Sequence, residues 1–326
     1  MIPSNPRQWA SLPDFDPEQG TIIRQPPGKA PGYWVGAPGV TYDAAGGCFY
    51  LVYRVRRPPG VHPDRGAEVR IARSRDGVTF DDIWSGTKDQ LRSPSIERCA
   101  LVRCPAGKWR LYVSYVDPAD RRWRIDTVEA AHPDKFDLTQ ARPALTARDI
   151  DAEGVKDPFV FQVADLYHMV VSYATAVGGA TAQELHGTGD AYNTGRVRSA
   201  TGLATSDDGL YWHWEGCILA PSPSGWDHYC ARIGCLWNQP PVWLALYDGS
   251  ADVSENYEER CGLAYSFDLR HFHRVTRRGP WVVAPHGPGA VRYFDVLALS
   301  DTLLFYYEMS RPDGSHDLRV YRTALV

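Results

Sequence analysis

Two acidic residues stand where a strand-like run begins: Glu97 in SIERCALV and Asp157 in GVKDPFVF. Two carboxylates converging on one cleft can cleave a glycosidic bond. The protonated one donates to the leaving oxygen, and the ionised one activates water or attacks. Crowding and partial drying push such pKa values apart and so separate the two roles. Each carboxylate could equally stitch neighbouring strands together by accepting backbone amides. Asp227, beside His228 in SGWDHYCARIG, is a third candidate catalytic carboxylate. Arg98, Arg232 and Arg292 supply the basic counterpart. A guanidinium can hold a substrate carboxylate or phosphate bidentately, or it can neutralise the acids. Trp34, Tyr229 and Asp295 complete the candidate substrate-binding set, with Tyr33, Trp226 and Tyr293 nearby. Sugar rings stack on aromatic faces, and core packing also calls for aromatics there. Glu308 reads as a structural ion-pair partner and His316 as a hairpin end. His168 and His186 lack ligand-spaced partners, so no metal site is expected, and the proposed chemistry needs no cofactor.

The elements that must position these residues follow from a repeated phrase. IARSRDGVTF (71–80), GLATSDDGLYW (202–212) and GLAYSFDLRHF (262–272) share a small-residue strand, a Ser, an Asp two residues on and an aromatic four further. VEAAHPDKF (128–136) keeps the Asp and the Phe. Self-similarity at a period of about 60 residues signals a repeat architecture. Asp and Gly suit the turn, since Asp bonds nearby N–H groups and Gly tolerates positive φ. The expected fold is therefore all-β: a single-domain five-bladed β-propeller over 1–326, each blade a four-stranded antiparallel sheet. Inner strands are expected at 35–43, 96–104, 155–163, 229–237 and 291–299, which places Ala37, Glu97 and Asp157 at one equivalent position. A long insertion, VGGATAQELHGTGDAYNTGRV (177–197), interrupts the third blade. The fifth blade lacks an outer strand, and FDPEQGTIIRQ (15–25) resembles the openings of the other outer strands. This segment is expected to dock there and close the ring, which would remove an exposed sheet edge.

Bulk composition agrees. The 326 residues include 11 Trp, 18 Tyr, 25 Pro and 29 Gly, rich in strand and turn formers. A net charge of −4 gives no reason to expect nucleic acid or membrane as partners. No run approaches the ~18 apolar residues of a membrane span, and the N-terminus has no apolar signal core. Seven cysteines without C-x-x-C pairs read as scattered core thiols, and a cytoplasmic location is expected.

GAPGVTYDAAGGCFYLVYRVR followed by RIARSRDGVTF resembles the opening of the family 130 mannoside phosphorylases and hydrolases. VKDPFVFQVADLYHMVVSYA resembles the Asp-Pro-Phe strand of the inverting family 43 arabinanases and xylosidases. The second likeness implies that Asp157 tunes the pKa of the acid. The chain departs from both patterns. Ala37 stands where family 43 has its catalytic base, and no acid Glu is evident near Tyr229–Arg232. Glu97-Arg98-Cys99-Ala100 replaces the Glu-Asp-Pro-Arg of family 130. The resemblance implies a glycoside hydrolase acting on a small glycoside or sugar-containing metabolite. The alternatives are a phosphorylase using Arg98, Arg232 and Arg292 for phosphate, a lapsed sugar-binding propeller, and a propeller turned to non-hydrolytic chemistry.

Overall fold

The computed structural model describes residues 9–105 and 107–324. The opening residues 1–8 and the last two residues of the predicted LRVYRTALV strand lie outside them. The protein is all-β. Strand β1 (Thr21–Arg24) precedes four antiparallel meanders. The first comprises β2 (Trp34–Asp43), β3 (Cys48–Arg57), β4 (Arg65–Ser74) and β5 (Asp81–Thr87). The second comprises β6 (Ile96–Arg103), β7 (Trp109–Val116), β8 (Trp123–Ala130) and β9 (Arg142–Leu145). The third comprises β10 (Gly154–Val163), β11 (Leu166–Ala176), β12 (Val197–Ser206) and β13 (His213–Leu219). The fourth comprises β14 (Cys230–Gln239), β15 (Val242–Ser250), β16 (Arg260–Ser266) and β17 (His273–Arg274). A last group, β18 (Val291–Ala298), β19 (Thr302–Ser310) and β20 (His316–Ala324), gains β1 as its fourth strand, with Thr21 opposite Val320. Parallel single bridges, Trp34 to His316 and Ser199 to Cys230, fuse pairs of meanders into larger sheets.

The repeated phrase makes the turn that its chemistry implies. The third strands β4, β12 and β16 end at Ser74, Ser206 and Ser266. Asp76 Oδ1 accepts from the Val78 and Thr79 amides at 2.8 and 2.7 Å, and Ser74 Oγ accepts from Gly77 at 2.9 Å. Asp208 and Asp268 repeat the pattern. These amide donors hold the Asp76 carboxyl well below the usual range. The outer strand of the fourth meander is short, only His273–Arg274, although FHRVTRRGPWVV (272–283) reads as one strand-like run in the sequence. Its regular pairing ends at Arg274; Val275 and Thr276 still bond to Leu263, and the chain meets the sheet again at a bridge between Cys261 and Val282. Pro280, which has no N–H to donate, lies in the gap.

Buried apolar residues fill the spaces between adjacent meanders. Val52, Ile71, Leu111 and Val113 belong to one such cluster between the first and second, and burying each fully stabilises by about 1.5–3 kcal/mol. The first strands lie against one another in sequence, β2 on β6, β6 on β10, β10 on β14 and β14 on β18, and β18 also lies on β2. The seven cysteines are unpaired thiols, six of them buried. Among the described residues no helix is long and apolar enough to cross a membrane.

Candidate active site

All five first strands carry a register irregularity at one level. It falls between Gly36 and Gly39, Ile96 and Cys99, Lys156 and Phe159, Ile233 and Cys235, and Arg292 and Asp295. A bulge bends its strand and re-aims a side chain. The residues it displaces here include Ala37, Glu97, Asp157 and Tyr293, so the sequence equivalence of Ala37, Glu97 and Asp157 has a structural counterpart. Ala37, Asp157 and Tyr293 hold left-handed backbone, at φ 52°, 58° and 53°. Such conformations are uncommon outside glycine and cost energy that the surrounding sheet must offset.

Around these bulges lies a buried network of alternating charge. Arg54, on β3, reaches Glu97 Oε1 at 2.8 Å and Glu308 Oε2 at 2.8 Å. Arg292 holds Glu308 Oε1 at 2.7 Å and Glu259 Oε2 at 2.6 Å. Arg232 pairs with the other oxygen of Glu259. His316 Nδ1–H donates to Glu308 Oε1, 2.8 Å away, and its ring stacks on Trp34 with ring centroids 4.8 Å apart. Burial disfavours ionisation of Glu308, but Arg292 and Arg54 hold its carboxyl well below the usual range. Glu259, likewise buried, is brought down to about 2 by Arg232 and Arg292.

Asp157 is held more loosely than these acids. Neither carboxylate oxygen has a hydrogen-bond partner, and Lys156 Nζ stands 3.7 Å from Oδ2. Its backbone N–H donates to Ser114 Oγ at 2.9 Å. Burial raises its pKa above the ordinary carboxylate value; Lys156 opposes this and the nearby charge of Glu97 adds to it. Lys156 thus stands off Asp157 at 3.7 Å, whereas Arg54 meets Glu97 at 2.8 Å. Tyr293 lies within the electrostatic reach of both, and burial followed by those two charges raises its phenol well above the ordinary value. The Lys156 ammonium sits over the rings of Trp123 and Tyr192, 5.1 and 4.6 Å from their centroids.

The 177–197 insertion covers this end of the molecule. Asp190 accepts from Trp123 Nε1 at 3.0 Å and from the Tyr257 hydroxyl. The Tyr229 hydroxyl donates to the Tyr192 carbonyl at 2.6 Å, so Tyr229 anchors the insertion.

Other sequence candidates are placed differently. Asp227 accepts from Tyr247 at 3.1 Å and from Arg274 Nε at 2.6 Å. None of its hydrogen bonds reaches the central network, which corrects the expectation that it joins the other carboxylates. Arg98 crosses to the backbone carbonyls of Gly234 (2.5 Å) and Phe294 (3.4 Å), with Asp295 3.9 Å away. Asp295 accepts from the Val40 amide at 2.7 Å. Both therefore tie first strands together. Sequence reasoning missed Arg54, Arg56, Lys156, Asp190, Tyr192, Tyr257 and Glu259. The available signal for Arg54 and Arg56 was two charges spaced by two within the apolar run CFYLVYRVR, hence on one face of a strand.

No family model matches the chain, and no curated protein matches it by sequence. Solved structures do. A GH43_1 enzyme from Xanthomonas citri superposes with TM-score 0.61 at 13% identity, covering 94% of this chain and 91% of that one. The β-1,2-mannobiose phosphorylase from Listeria innocua gives 0.60 at 15% identity, over 94% and 93%. A GH130 structure, reported with glycoside hydrolases that target β-1,2-mannosidic linkages in Candida mannan, gives 0.61 at 16%, over 96% of both chains. The likeness is one of fold. The resemblance to family 43 and family 130 noted in short sequence strings therefore extends over nearly the whole chain as architecture.

Proposed function

We propose that the chain is a single-domain, five-bladed β-propeller, its ring closed by β1, that cleaves a small glycoside where the first strands converge. The observation that carries this reading is Asp157: a buried carboxyl whose oxygens accept no hydrogen bond, its pKa raised by burial, 3.7 Å from Lys156, on a strained bulge and within electrostatic reach of Glu97. In hydrolysis Asp157 gives its proton to the leaving oxygen as the glycosidic C–O bond breaks. Water attacks the anomeric carbon and passes a proton to Glu97. No organic cofactor enters this scheme.

Phosphorolysis is the second reading, favoured by the likeness to the Listeria phosphorylase. Arg232 and Arg292 are already paired with carboxylates and Arg98 with carbonyls, which weakens the three-arginine phosphate pocket expected from sequence. The test is a screen of aryl glycosides with and without phosphate, with sugar binding followed calorimetrically. Asp157→Asn and Glu97→Gln should each lower turnover by ~10²–10⁴-fold while the protein stays folded. Turnover only with phosphate would select phosphorolysis. Binding without turnover would leave a non-catalytic sugar-binding propeller.

A further inference from the structure

Arg56 is the exception in the charge network. It is only 7% exposed, yet among the described residues no carboxylate lies within ion-pair distance of it, and its Nε has no hydrogen-bond partner. Its guanidinium carbon is 4.9 Å from the centroid of Trp34 and 5.0 Å from that of Tyr257, and those two rings are 5.8 Å apart, so both lie to one side of it. Arg54, Arg232 and Arg292 are all matched by carboxylates. A buried charge without a partner is costly, and such groups are normally paired or bonded.

Its position relates it to the carboxylates. Arg54 and Arg56 share one face of β3, about 7 Å apart along the strand. Arg56 is the one nearer the β3–β4 loop, the end of the meanders that also carries the 177–197 insertion and the Tyr257 loop. Arg56 and Arg292 both stand over Trp34, at 4.9 and 5.0 Å, and Arg292 also stands over Tyr293 at 4.9 Å. Contacts therefore run from Arg56 through Trp34 and Arg292 to Tyr293, whose ring also lies 5.8 Å from Arg54, the partner of Glu97.

We propose that Arg56, Trp34 and Tyr257 form a subsite for an oxyanion, the carboxylate of an acidic sugar. The two rings cover one side of the guanidinium, no described protein group pairs with its N–H groups, and a planar carboxylate can meet two of those bidentately. The proposal rests on the glycoside reading and adds a charge requirement to it: the substrate is a uronic-acid glycoside rather than a neutral one.

The experiment is calorimetric titration of the full chain, and of its Arg56→Gln and Arg56→Lys variants, with galacturonate, glucuronate, the matching neutral sugars and inorganic phosphate. Thermal melts control for folding, and Arg56→Gln should melt no lower than the parent because an unmatched buried charge is gone. The intact protein should bind at least one uronate more tightly than its neutral counterpart. Arg56→Gln should weaken that uronate about 10- to 100-fold and leave the neutral sugar unchanged, with Arg56→Lys between. Equal binding of acidic and neutral sugars would overturn the subsite and leave the glycoside reading standing. Arg56-dependent binding of phosphate but of no uronate would overturn it in favour of a phosphate co-substrate. Binding of none of these anions would overturn it outright.

Discussion

Glu308 Oε2 accepts a hydrogen bond of 3.1 Å from the backbone N–H of Ala37. A carboxylate from β19 thus lies against the first-strand bulge whose own side chain is a methyl group. Gly36 leaves the room: a Cβ there would stand 2.1 Å from Glu308 Oε2. The same carboxylate binds Arg54, Arg292 and His316. It therefore orders the cations that face Glu97 and Glu259, and its depressed pKa suits it to a fixed counter-charge rather than to proton transfer.

Glu308→Ala should accordingly destabilise the fold by about 3–5 kcal/mol, because two buried guanidinium groups lose a partner. Gly36→Ala should cost about 1–3 kcal/mol by overpacking. Urea unfolding of both variants checks this. A parent-like midpoint for Glu308→Ala would show that the network is not structural.

Asp157 and Lys156 make a prediction about rate. If turnover uses the Asp157 proton, kcat/KM must fall as pH rises through its elevated pKa. Lys156 opposes that elevation, so Lys156→Met should move the falling limb to higher pH. A pH profile on any active aryl glycoside reads the shift, and an unmoved limb would assign the proton to another group.

Local chemistry was legible in the sequence and distant pairing was not. The Ser-x-Asp turn closes within a few residues, so its spacing alone reveals it. The shared level of Ala37, Glu97 and Asp157 was legible because each opens a strand at the repeat period. Asp227 was misplaced because its partner Arg274 is 47 residues away, on the outer strand, and nothing in the local sequence ties the two together. Glu259 and Tyr257 sit in a loop without periodicity, and only the folded chain brings them to Arg232 and Arg56. The role of Arg98 as a tie between β6, β14 and β18 likewise depends on carbonyls from two other meanders.

Asp248 should report on stability against pH. Burial raises its pKa to about 7; the Glu259 charge adds to the rise, while Arg232 and the Tyr293 amide oppose it. For an acid whose folded pKa lies above its unfolded value, the stabilisation is full below the unfolded value and disappears as pH rises through the folded one. Between about pH 4 and 7 this single group removes on the order of 4 kcal/mol, an upper bound. Asp248→Asn mimics the protonated form and keeps an acceptor for Tyr293. The variant should therefore lose less stability than the parent from pH 4 to 7. Melting curves across that range decide it, and parallel pH dependence would show that Asp248 ionises normally in the fold.

The N-terminal segment makes the broadest test of the architecture. β1 pairs with β20, and Arg24 reaches beyond it to Asp82 at 2.7 Å and the Phe80 carbonyl at 2.9 Å, both in the first meander. Ahead of it, Phe15 packs its ring 5.2–5.5 Å from those of Trp281, Phe294, Phe305, Tyr307 and Tyr321. The Tyr307 hydroxyl donates to the Pro17 carbonyl at 2.6 Å. These contacts join the last meander to the first, so removing residues 1–25 would expose the edge of β20 and strip an aromatic cluster of its central ring. The truncated chain should melt well below the parent and aggregate through the freed edge. Phe15→Ala isolates the packing contribution from the strand and should cost about 3 kcal/mol, while Arg24→Ala should cost less because its ion pair is partly solvated. If the truncated chain and the Phe15→Ala variant both melt like the parent, the segment is a surface arm and the ring closes without it.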